Sequence, residues 1–209
     1  MPTVEKIEKS KHKQERVLVF LREGDLLRIT ETELLRFGLC KGAVLTDEQI
    51  AELKAAGARS ETRAAAARMA SGRMLSKKEL QKRLVRKGAE EEDAAETADW
   101  LEELGAVDDC AYAASIVRHY GGMGYGPARV QQELYRRGIP RELWEDALAQ
   151  MPPAQEAIER YARSRLRGCT PDAAAVKKLY DALLRRGFSR NDIRPVIRAL
   201  GQEISEDDL

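Results

Sequence analysis

The residues that could carry out covalent or metal chemistry are few and scattered. His12 and His119 are far apart in the sequence, and the cysteines, Cys40, Cys110 and Cys169, show no Cys-x-x-Cys or histidine spacing typical of a zinc site. They form no disulfide pattern either, so we expect them to be small buried or half-buried side chains. The sequence therefore predicts no catalytic residue, no metal and no cofactor, and an enzyme is the least favoured class of protein.

A glycine-rich segment at residues 121–127 is the stretch most similar to a phosphate-binding loop. It follows a predicted helix rather than a strand, and it lacks the Gly-Lys-Ser/Thr ending of such loops. We interpret it as a flexible turn between two helices, with direct contact to a phosphate as the alternative.

Basic side chains remain as the groups that could bind a partner, because guanidinium and ammonium groups bind phosphates and carboxylates. The chain of 209 residues is nearly neutral, with 36 Lys and Arg, 35 Asp and Glu and a formal charge of +1. This balance excludes a uniformly basic DNA coat but leaves room for local basic faces. Residues 160–198 are rich in Arg and Lys, whereas residues 90–103 and the tail at 202–209 are acidic.

The elements that carry these basic residues repeat along the chain. Three segments, Leu84–Gly88, Leu134–Gly138 and Leu183–Gly187, recur at intervals of about 50 residues and align on their glycine. Each begins with leucine and has two basic residues directly before the glycine. We predict a helix that ends at each glycine, because glycine suits the left-handed residue after a helix and cations suit the last turn.

Each repeat is predicted to contain three helices, of which the one ending at the aligned glycine is the middle helix. The middle helices are expected to open at Ser76-Lys77-Lys78-Glu79, Gly126-Pro127 and Thr170-Pro171-Asp172, through a capping box or a proline in the first turn. Leading helices are predicted at 63–75, 109–120 and 154–167, and third helices at 90–104, 141–150 and 191–200. We expect Trp100 and Trp144 to be core anchors between repeats.

The first sixty residues indicate a small α+β module. The apolar run Arg16–Leu21, the turn signal at Gly24-Asp25 and the return at 26–29 predict a β-hairpin, with residues 4–7 as an edge strand. Thr30 and Thr46 each begin a capping-box pattern. The helix that follows Thr46 is expected to stop near residue 57.

The predicted fold class is mostly α: a small α+β module with a β-hairpin, then three tandem three-helix repeats in an elongated, curved array. The expected limits are 1–58 for the module, 62–105, 108–151 and 153–201 for the repeats, and 202–209 for the acidic tail. The apolar runs are far shorter than a bilayer span, and the charged N-terminal stretch does not match a signal peptide. We expect a cytoplasmic monomer without membrane contact.

The order and spacing of these motifs resemble the bacterial RecX family of regulatory proteins, which modulate the RecA recombinase. The resemblance covers about residues 62–200 and rests on residues 75–80 and 84–88, 101–113, 124–139 and 183–188. It implies a non-enzymatic regulator that acts in homologous recombination, DNA repair and the SOS response. Such a protein binds RecA and lodges in the groove of the RecA–DNA filament, where it inhibits ATP hydrolysis, strand exchange and filament growth.

From repetition and charge density, we predict that the basic residues of the helices form the face that contacts the partner. The predicted contact residues are Lys77, Lys78, Lys82, Arg86, Lys87, Arg129, Arg136, Arg137, Arg163, Arg167, Lys177, Arg185 and Arg186. For any one of them, the alternative is a solvated side chain or an internal ion pair.

A second hypothesis is a helical module that binds single-stranded or duplex DNA directly, without an obligatory protein partner. Basic helix faces together with Tyr125 or Tyr135 would suit single strands. A weak direct DNA contact is also compatible with the regulator. Salt distinguishes the two hypotheses, because binding to phosphates alone falls steeply as the salt concentration rises.

Overall fold

The computed structural model describes residues 1–11, 13, 15–167 and 172–199. Within these ranges the chain is mostly helical, with a small three-stranded sheet near the N-terminus, as predicted. The strands are β1 (Val4–Lys9), β2 (Arg16–Leu21) and β3 (Leu26–Thr30). The helices are α1 (Glu31–Arg36), α2 (Asp47–Gly72), α3 (Lys77–Arg86), α4 (Glu91–Glu103), α5 (Asp109–Gly122), α6 (Pro127–Arg136), α7 (Trp144–Leu148), α8 (Ala154–Arg165), α9 (Ala173–Arg185) and α10 (Arg190–Ala199).

The described residues form two compact units. The first comprises Met1–Arg73 and Leu80–Ala106, and the second comprises Met74–Glu79 and the residues from Val107 onward. Among the helices of the described ranges, none combines the length and the apolar composition needed to cross a bilayer. The predicted limits of the module, the repeats and the tail, and the curvature of the array, remain predictions.

The first unit contains an antiparallel sheet in the order β1-β2-β3, which includes the predicted hairpin. In its register, Val19 of β2 lies opposite Ile7 of β1 and Leu27 of β3. Val19 and Leu27 are buried in a core that also contains Leu53 of α2. Both predicted capping boxes are present, with Thr30 opening α1 and Thr46 opening α2. The alternation of apolar and polar residues thus directs one face of the sheet onto the helix.

Helix α2 is longer than the sequence suggests, and the predicted stop near Gly57 is wrong. The helix runs without interruption to Gly72, so that the expected leading helix of the first repeat is its C-terminal half. A Cβ atom on Gly57 would lie 2.5 Å from the carbonyl oxygen of Arg28 in β3. Gly57 therefore permits close packing of the helix on the sheet rather than ending the helix.

The second unit contains two consecutive three-helix groups, α5 to α7 and α8 to α10, each with its own apolar core. Leu134 and Leu183, at matching positions of the middle helices α6 and α9, are fully buried. The glycines after these helices, Gly138 and Gly187, have φ of 72° and 90°. The predicted left-handed glycines at the helix ends are confirmed, as is Gly88 at the end of α3, with φ of 93°.

The third helix of the second repeat is shorter than predicted. A 3-10 turn at Arg141–Leu143 leads into the five-residue α7, which ends ahead of Pro152 and Pro153. The indole Nε1 of Trp144 donates to the carbonyl oxygen of Ile139 at 3.0 Å. Trp144 packs against the core of its own repeat, and its role as an anchor between repeats remains a prediction.

A backbone junction joins the start of α6 to the end of α9. The N–H of Gly126 donates to the carbonyl oxygen of Arg186 at 2.8 Å, and the N–H of Ala128 donates to that of Gly187 at 3.1 Å. These N–H and C=O groups would otherwise lack partners at the two helix ends. A Cβ on Gly126 would lie 2.6 Å from the nitrogen of Phe188, which is closer than real Cβ contacts allow. The junction therefore requires glycine at position 126.

A similar junction joins the start of α3 to the end of α6. The hydroxyl of Ser76 donates to the carbonyl oxygen of Arg137, and it accepts from the N–H of Glu79 at 3.0 Å, as the predicted cap requires. The N–H of Lys77 donates to Oδ1 of Asp109 at 2.9 Å. In both junctions the positive N-terminal end of one helix meets the negative C-terminal end of another.

The glycine-rich turn at residues 121–127 is shaped by these contacts. Gly124 has φ of 75° and follows the end of α5, where the N–H of Tyr125 donates to the carbonyl oxygen of Tyr120 at 3.1 Å. Gly126 forms the junction with α9. The glycines thus meet local geometric requirements of the helix end and the junction, and contact of this turn with a phosphate remains a prediction.

Replacing Gly126 by alanine tests the junction between α6 and α9. We expect Gly126→Ala to lower the free energy of unfolding by about 1–3 kcal/mol, because the new methyl group must displace backbone atoms. Urea denaturation followed by circular dichroism measures this change. Gly122→Ala is the matched control, since a Cβ at that position would meet open space, with no neighbouring group within 4 Å. A loss in the control as large as in Gly126→Ala would contradict the close approach.

Candidate functional site

The predicted contact residues differ in their exposure. Lys77, Arg137 and Arg186 are partly buried. The exposed ones are Lys78, Lys82, Arg86, Lys87, Arg129, Arg136, Arg163, Arg167, Lys177 and Arg185. Lys82, Arg86 and Lys87 belong to the first unit, and the others belong to the second. The assignment of these residues to a contact face remains a prediction.

The two basic residues before each aligned glycine have different surroundings in the second and third repeats. The first of each pair, Arg136 or Arg185, is exposed, as is Arg86 in the first repeat. The second of each pair, Arg137 or Arg186, lies against a tyrosine of the leading helix of its own repeat. One arginine of each of these pairs is thus available to solvent while its neighbour takes part in packing.

The two packed arginines make corresponding contacts. Nη1 of Arg137 donates to the hydroxyl of Tyr112, and the guanidinium carbon lies 5.6 Å from the centroid of the Tyr112 ring. The guanidinium carbon of Arg186 lies 4.3 Å from the centroid of the Tyr161 ring. The sequence contains a signal for these pairs, because Tyr112 and Tyr161 precede their arginines by the same distance. Charge density alone assigns both arginines to the contact face and misses their packing.

Arg186 also holds the end of α5. Its Nη1 donates to the carbonyl oxygens of Met123 and Gly124, each at 3.0 Å, and its guanidinium carbon lies 5.0 Å from the centroid of the Tyr125 ring. A cation at the C-terminal end of a helix is favoured by the helix dipole. Arg186 therefore connects the second and third repeats through side-chain contacts, beside the backbone junction.

The cations around Tyr161 change its acidity. Burial raises the pKa of Tyr161, but hydrogen bonds from Arg165 and Arg186 and their positive charges outweigh burial, so that the pKa is lowered. Nε of Arg165 donates to the Tyr161 hydroxyl at 3.1 Å. The phenol oxygen is thus an acceptor held between two guanidinium groups.

A buried carboxylate, which the sequence analysis missed, organises the cations of α6. The side chain of Glu133 is 6% exposed, and its Oε2 lies 2.6 Å from Nη2 of Arg136. Its Oε1 lies 3.6 Å from Nη2 of Arg129, and Nε of Arg137 lies 3.9 Å from Oε2. The three arginines lie four residues before and three and four residues after Glu133, which is the spacing of helical neighbours and could have revealed the cluster.

The pKa of Glu133 reflects this surrounding. Burial raises the pKa of Glu133. Hydrogen bonds from Arg136 and Tyr120, together with the charges of Arg136 and Arg129, outweigh burial, so that the pKa is lowered overall. The carboxylate is therefore stabilised in its ionised form. Several cations around a single buried anion leave the outer side of α6 with positive charge.

The histidine and cysteine side chains that the structure describes belong to no group that could hold a metal ion. Cys40 and Cys110 are exposed free thiols, so the expectation that they are buried or half-buried is wrong. Cys110 is the second residue of α5, and Cys40 lies in the loop after α1. His119 is exposed, with its ring 5.2 Å from that of Tyr120. His12 and Cys169 lie outside the described residues.

Glu133 should make the stability of the second unit depend on pH. Because its pKa is below the ordinary value of 4.5 in the folded chain, ionised Glu133 stabilises the fold above that pH. This contribution is lost as the pH falls through the lower, folded pKa. We expect Glu133→Gln to lower the free energy of unfolding by about 1–3 kcal/mol at neutral pH, and we expect the difference from the parent chain to shrink below pH about 4.

Urea denaturation at a series of pH values measures this difference. Glu142→Gln, which changes an exposed carboxylate on the adjacent 3-10 turn, is the matched control and should cost little. A cost of Glu133→Gln that stays constant from neutral to acid pH would show that the charge of Glu133 is not what stabilises the fold.

Known proteins are similar to this chain in both sequence and fold. A family model described as the second three-helix domain of RecX matches residues 108–148. The regulatory protein RecX of Enterococcus faecalis is 30% identical, over 99% of this chain and 79% of that protein. The regulatory protein RecX of Xanthomonas axonopodis pv. citri is 37% identical, over 55% of this chain and 72% of that protein.

Solved structures of RecX proteins are also similar to this chain. A crystal structure of a regulatory protein RecX superposes with a TM-score of 0.73 at 26% identity, covering 94% of this chain and 98% of that one. The crystal structure of RecX from Lactobacillus salivarius has a TM-score of 0.63 at 26% identity and covers 69% of this chain and 97% of that one. A RecX protein is similar to this chain over nearly its whole length, and solved RecX structures have the same three-helix repeat fold. This chain therefore belongs to the RecX family of regulatory proteins.

Proposed function

We propose that this chain regulates the RecA recombinase in the cytoplasm by binding RecA and the RecA–DNA filament. In doing so it inhibits ATP hydrolysis, strand exchange and filament growth, and thereby acts in homologous recombination, DNA repair and the SOS response. The observation that carries the proposal is the recurrence of an exposed arginine at the end of each middle helix, Arg86, Arg136 and Arg185, in a chain of the RecX family.

The repetition of basic helix ends along the chain supports a partner that itself has a repeating surface. The same basic helix end occurs three times in the chain, and in the second unit the backbone junctions fix the first turn of α3 and the ends of α6 and α9 to one another. A helical filament likewise offers the same surface at regular intervals. Matching repeats on both partners allow several weak ionic contacts to form together, which gives more affinity than any one contact provides.

The distribution of charge supports a partner with surfaces of both signs. Exposed cations occur on α3, α6 and α9, whereas α4 (Glu91–Glu103) begins with three acidic residues. A RecA–DNA filament presents both protein surface and phosphate. Complementary potentials of this kind increase the association rate and the specificity of a complex. We propose that the chain acts by occupying the filament and not by catalysis of its own.

Inhibition of ATP hydrolysis by RecA on single-stranded DNA tests the proposal. We expect the parent chain to inhibit this reaction. The triple reversal Lys82→Glu, Arg86→Glu, Lys87→Glu should raise the concentration needed for half-inhibition by about tenfold or more, because three attractive charges become repulsive. All three side chains are exposed, so the circular dichroism spectrum should not change.

The matched control is the reversal of three exposed cations of the N-terminal region, Lys11→Glu, Arg22→Glu and Lys41→Glu, which changes the net charge equally. Equal effects of the two triple variants would contradict the contact face. Absence of inhibition by the parent chain, together with binding to bare DNA that weakens steeply up to about 0.3 M salt whether or not RecA is present, would favour direct DNA binding instead.

A further inference from the structure

The outer face of α6 presents an unusual combination of side chains. Tyr135 is 72% exposed. Gln131 and Gln132 lie one turn before it, and both are exposed. Arg129, Gln132 and Arg136 form the adjacent row along the helix, in which Nη1 of Arg129 donates to Oε1 of Gln132 at 3.2 Å. An aromatic ring is thus surrounded by amides and guanidinium groups on one helix surface.

Packing does not account for a tyrosine at this position. The corresponding residues of the other middle helices, three before the aligned glycine, are Val85, which is 38% exposed, and Leu184, which is partly buried. A single exposed apolar residue is common on protein surfaces. Here, however, the second repeat replaces an aliphatic side chain with a large ring that points away from the core of its own repeat.

The charge of this face has one sign. Helix α6 contains a single carboxylate, that of Glu133, and it is buried among Arg129, Arg136 and Arg137. The guanidinium groups of Arg129 and Arg136 remain 44% and 66% exposed while they contact it. At the end of the helix, the aliphatic part of the Lys78 side chain lies against Gly138. The exposed surface of α6 therefore offers cations without an exposed anion.

We propose that the outer face of α6 binds single-stranded nucleic acid, with the ring of Tyr135 stacked on a base and Arg129 and Arg136 beside the phosphates. An aromatic ring next to cations is the pattern by which proteins bind single strands, because every base has a face that can stack. The proposal deepens the proposed function, on which it rests for the source of the strand, the DNA of the filament.

The composition of the face favours a nucleic acid over a protein. Aromatic anchors of protein interfaces lie in apolar, fully desolvated centres. The neighbours of Tyr135 on α6 are instead Gln131, Gln132 and Arg136, which provide hydrogen-bond donors to bases and phosphates. A protein contact is the competing outcome, and the experiment distinguishes the two.

Binding of a fluorescent oligothymidine to the full-length chain, without RecA, tests the proposal by anisotropy over a series of salt concentrations. We expect Tyr135→Ala to weaken binding by about 5- to 100-fold, the range corresponding to the loss of one stacked base. Tyr135→Phe should bind within about threefold of the parent chain. The dependence of the affinity on salt should be the same in all three proteins, because stacking releases no counterions.

Leu35→Ala is the matched control, since Leu35 is an equally exposed apolar side chain, 79% accessible, on α1 of the first unit. It should leave the affinity for the oligonucleotide unchanged. An oligothymidine carrying 5-bromouracil should photocrosslink to the peptide that contains Tyr135. Crosslinking confined to other peptides would contradict the assignment.

Unchanged oligonucleotide affinity in Tyr135→Ala, or no binding by the parent chain at low salt, would overturn the proposal. If Tyr135→Ala binds the oligonucleotide normally but no longer inhibits ATP hydrolysis by RecA, Tyr135 contacts protein and the regulatory function stands. If the parent chain binds the strand through Tyr135 but does not inhibit RecA, the strand contact stands and the regulatory function fails.

Discussion

The hydrogen bonds that join the start of α6 to the end of α9 are the constraint on which the arrangement of the second unit depends. Backbone groups at helix ends need partners, and here each helix end supplies them to the other. These hydrogen bonds can form because Gly126 has no Cβ, so that the two helix ends can approach each other closely. Ser76 and the end of α6 repeat the arrangement with a hydroxyl group as the donor. The basic residues at these helix ends are positioned by the same contacts.

Features that depend on neighbours in sequence could be predicted, and those that depend on distant partners could not. The left-handed glycines at 88, 138 and 187 and the threonine caps follow from local backbone geometry, and the sequence indicates them directly. The role of Gly57 is not evident from the sequence, because a glycine that ends a helix and a glycine that allows close packing have the same local pattern. Only the distance from its Cβ position to Arg28 distinguishes them.

The candidate site shows the same limit. Exposure of Arg136 and Arg185 is a property of the helix surface, which repetition and helical periodicity anticipate. Packing of Arg137 and Arg186 on tyrosines depends on another helix, so charge alone could not separate the two arginines of a pair. The helical spacing of three arginines around Glu133 can be read from the sequence, but the burial of Glu133 is a matter of tertiary structure. The two basic residues before the aligned glycine of the second and third repeats thus have separate roles, the first exposed to solvent and the second packed on a tyrosine.

The uninterrupted course of α2 has a consequence for how such chains can vary in evolution. Its N-terminal half packs on the sheet, and its C-terminal half contains the predicted leading helix of the first repeat. A homologue that lacked the strands would leave this helix without the surface that shields Leu53. Loss of the strands would therefore need to be accompanied by polar replacements along one stripe of the helix, so that gain or loss of the sheet is a concerted change.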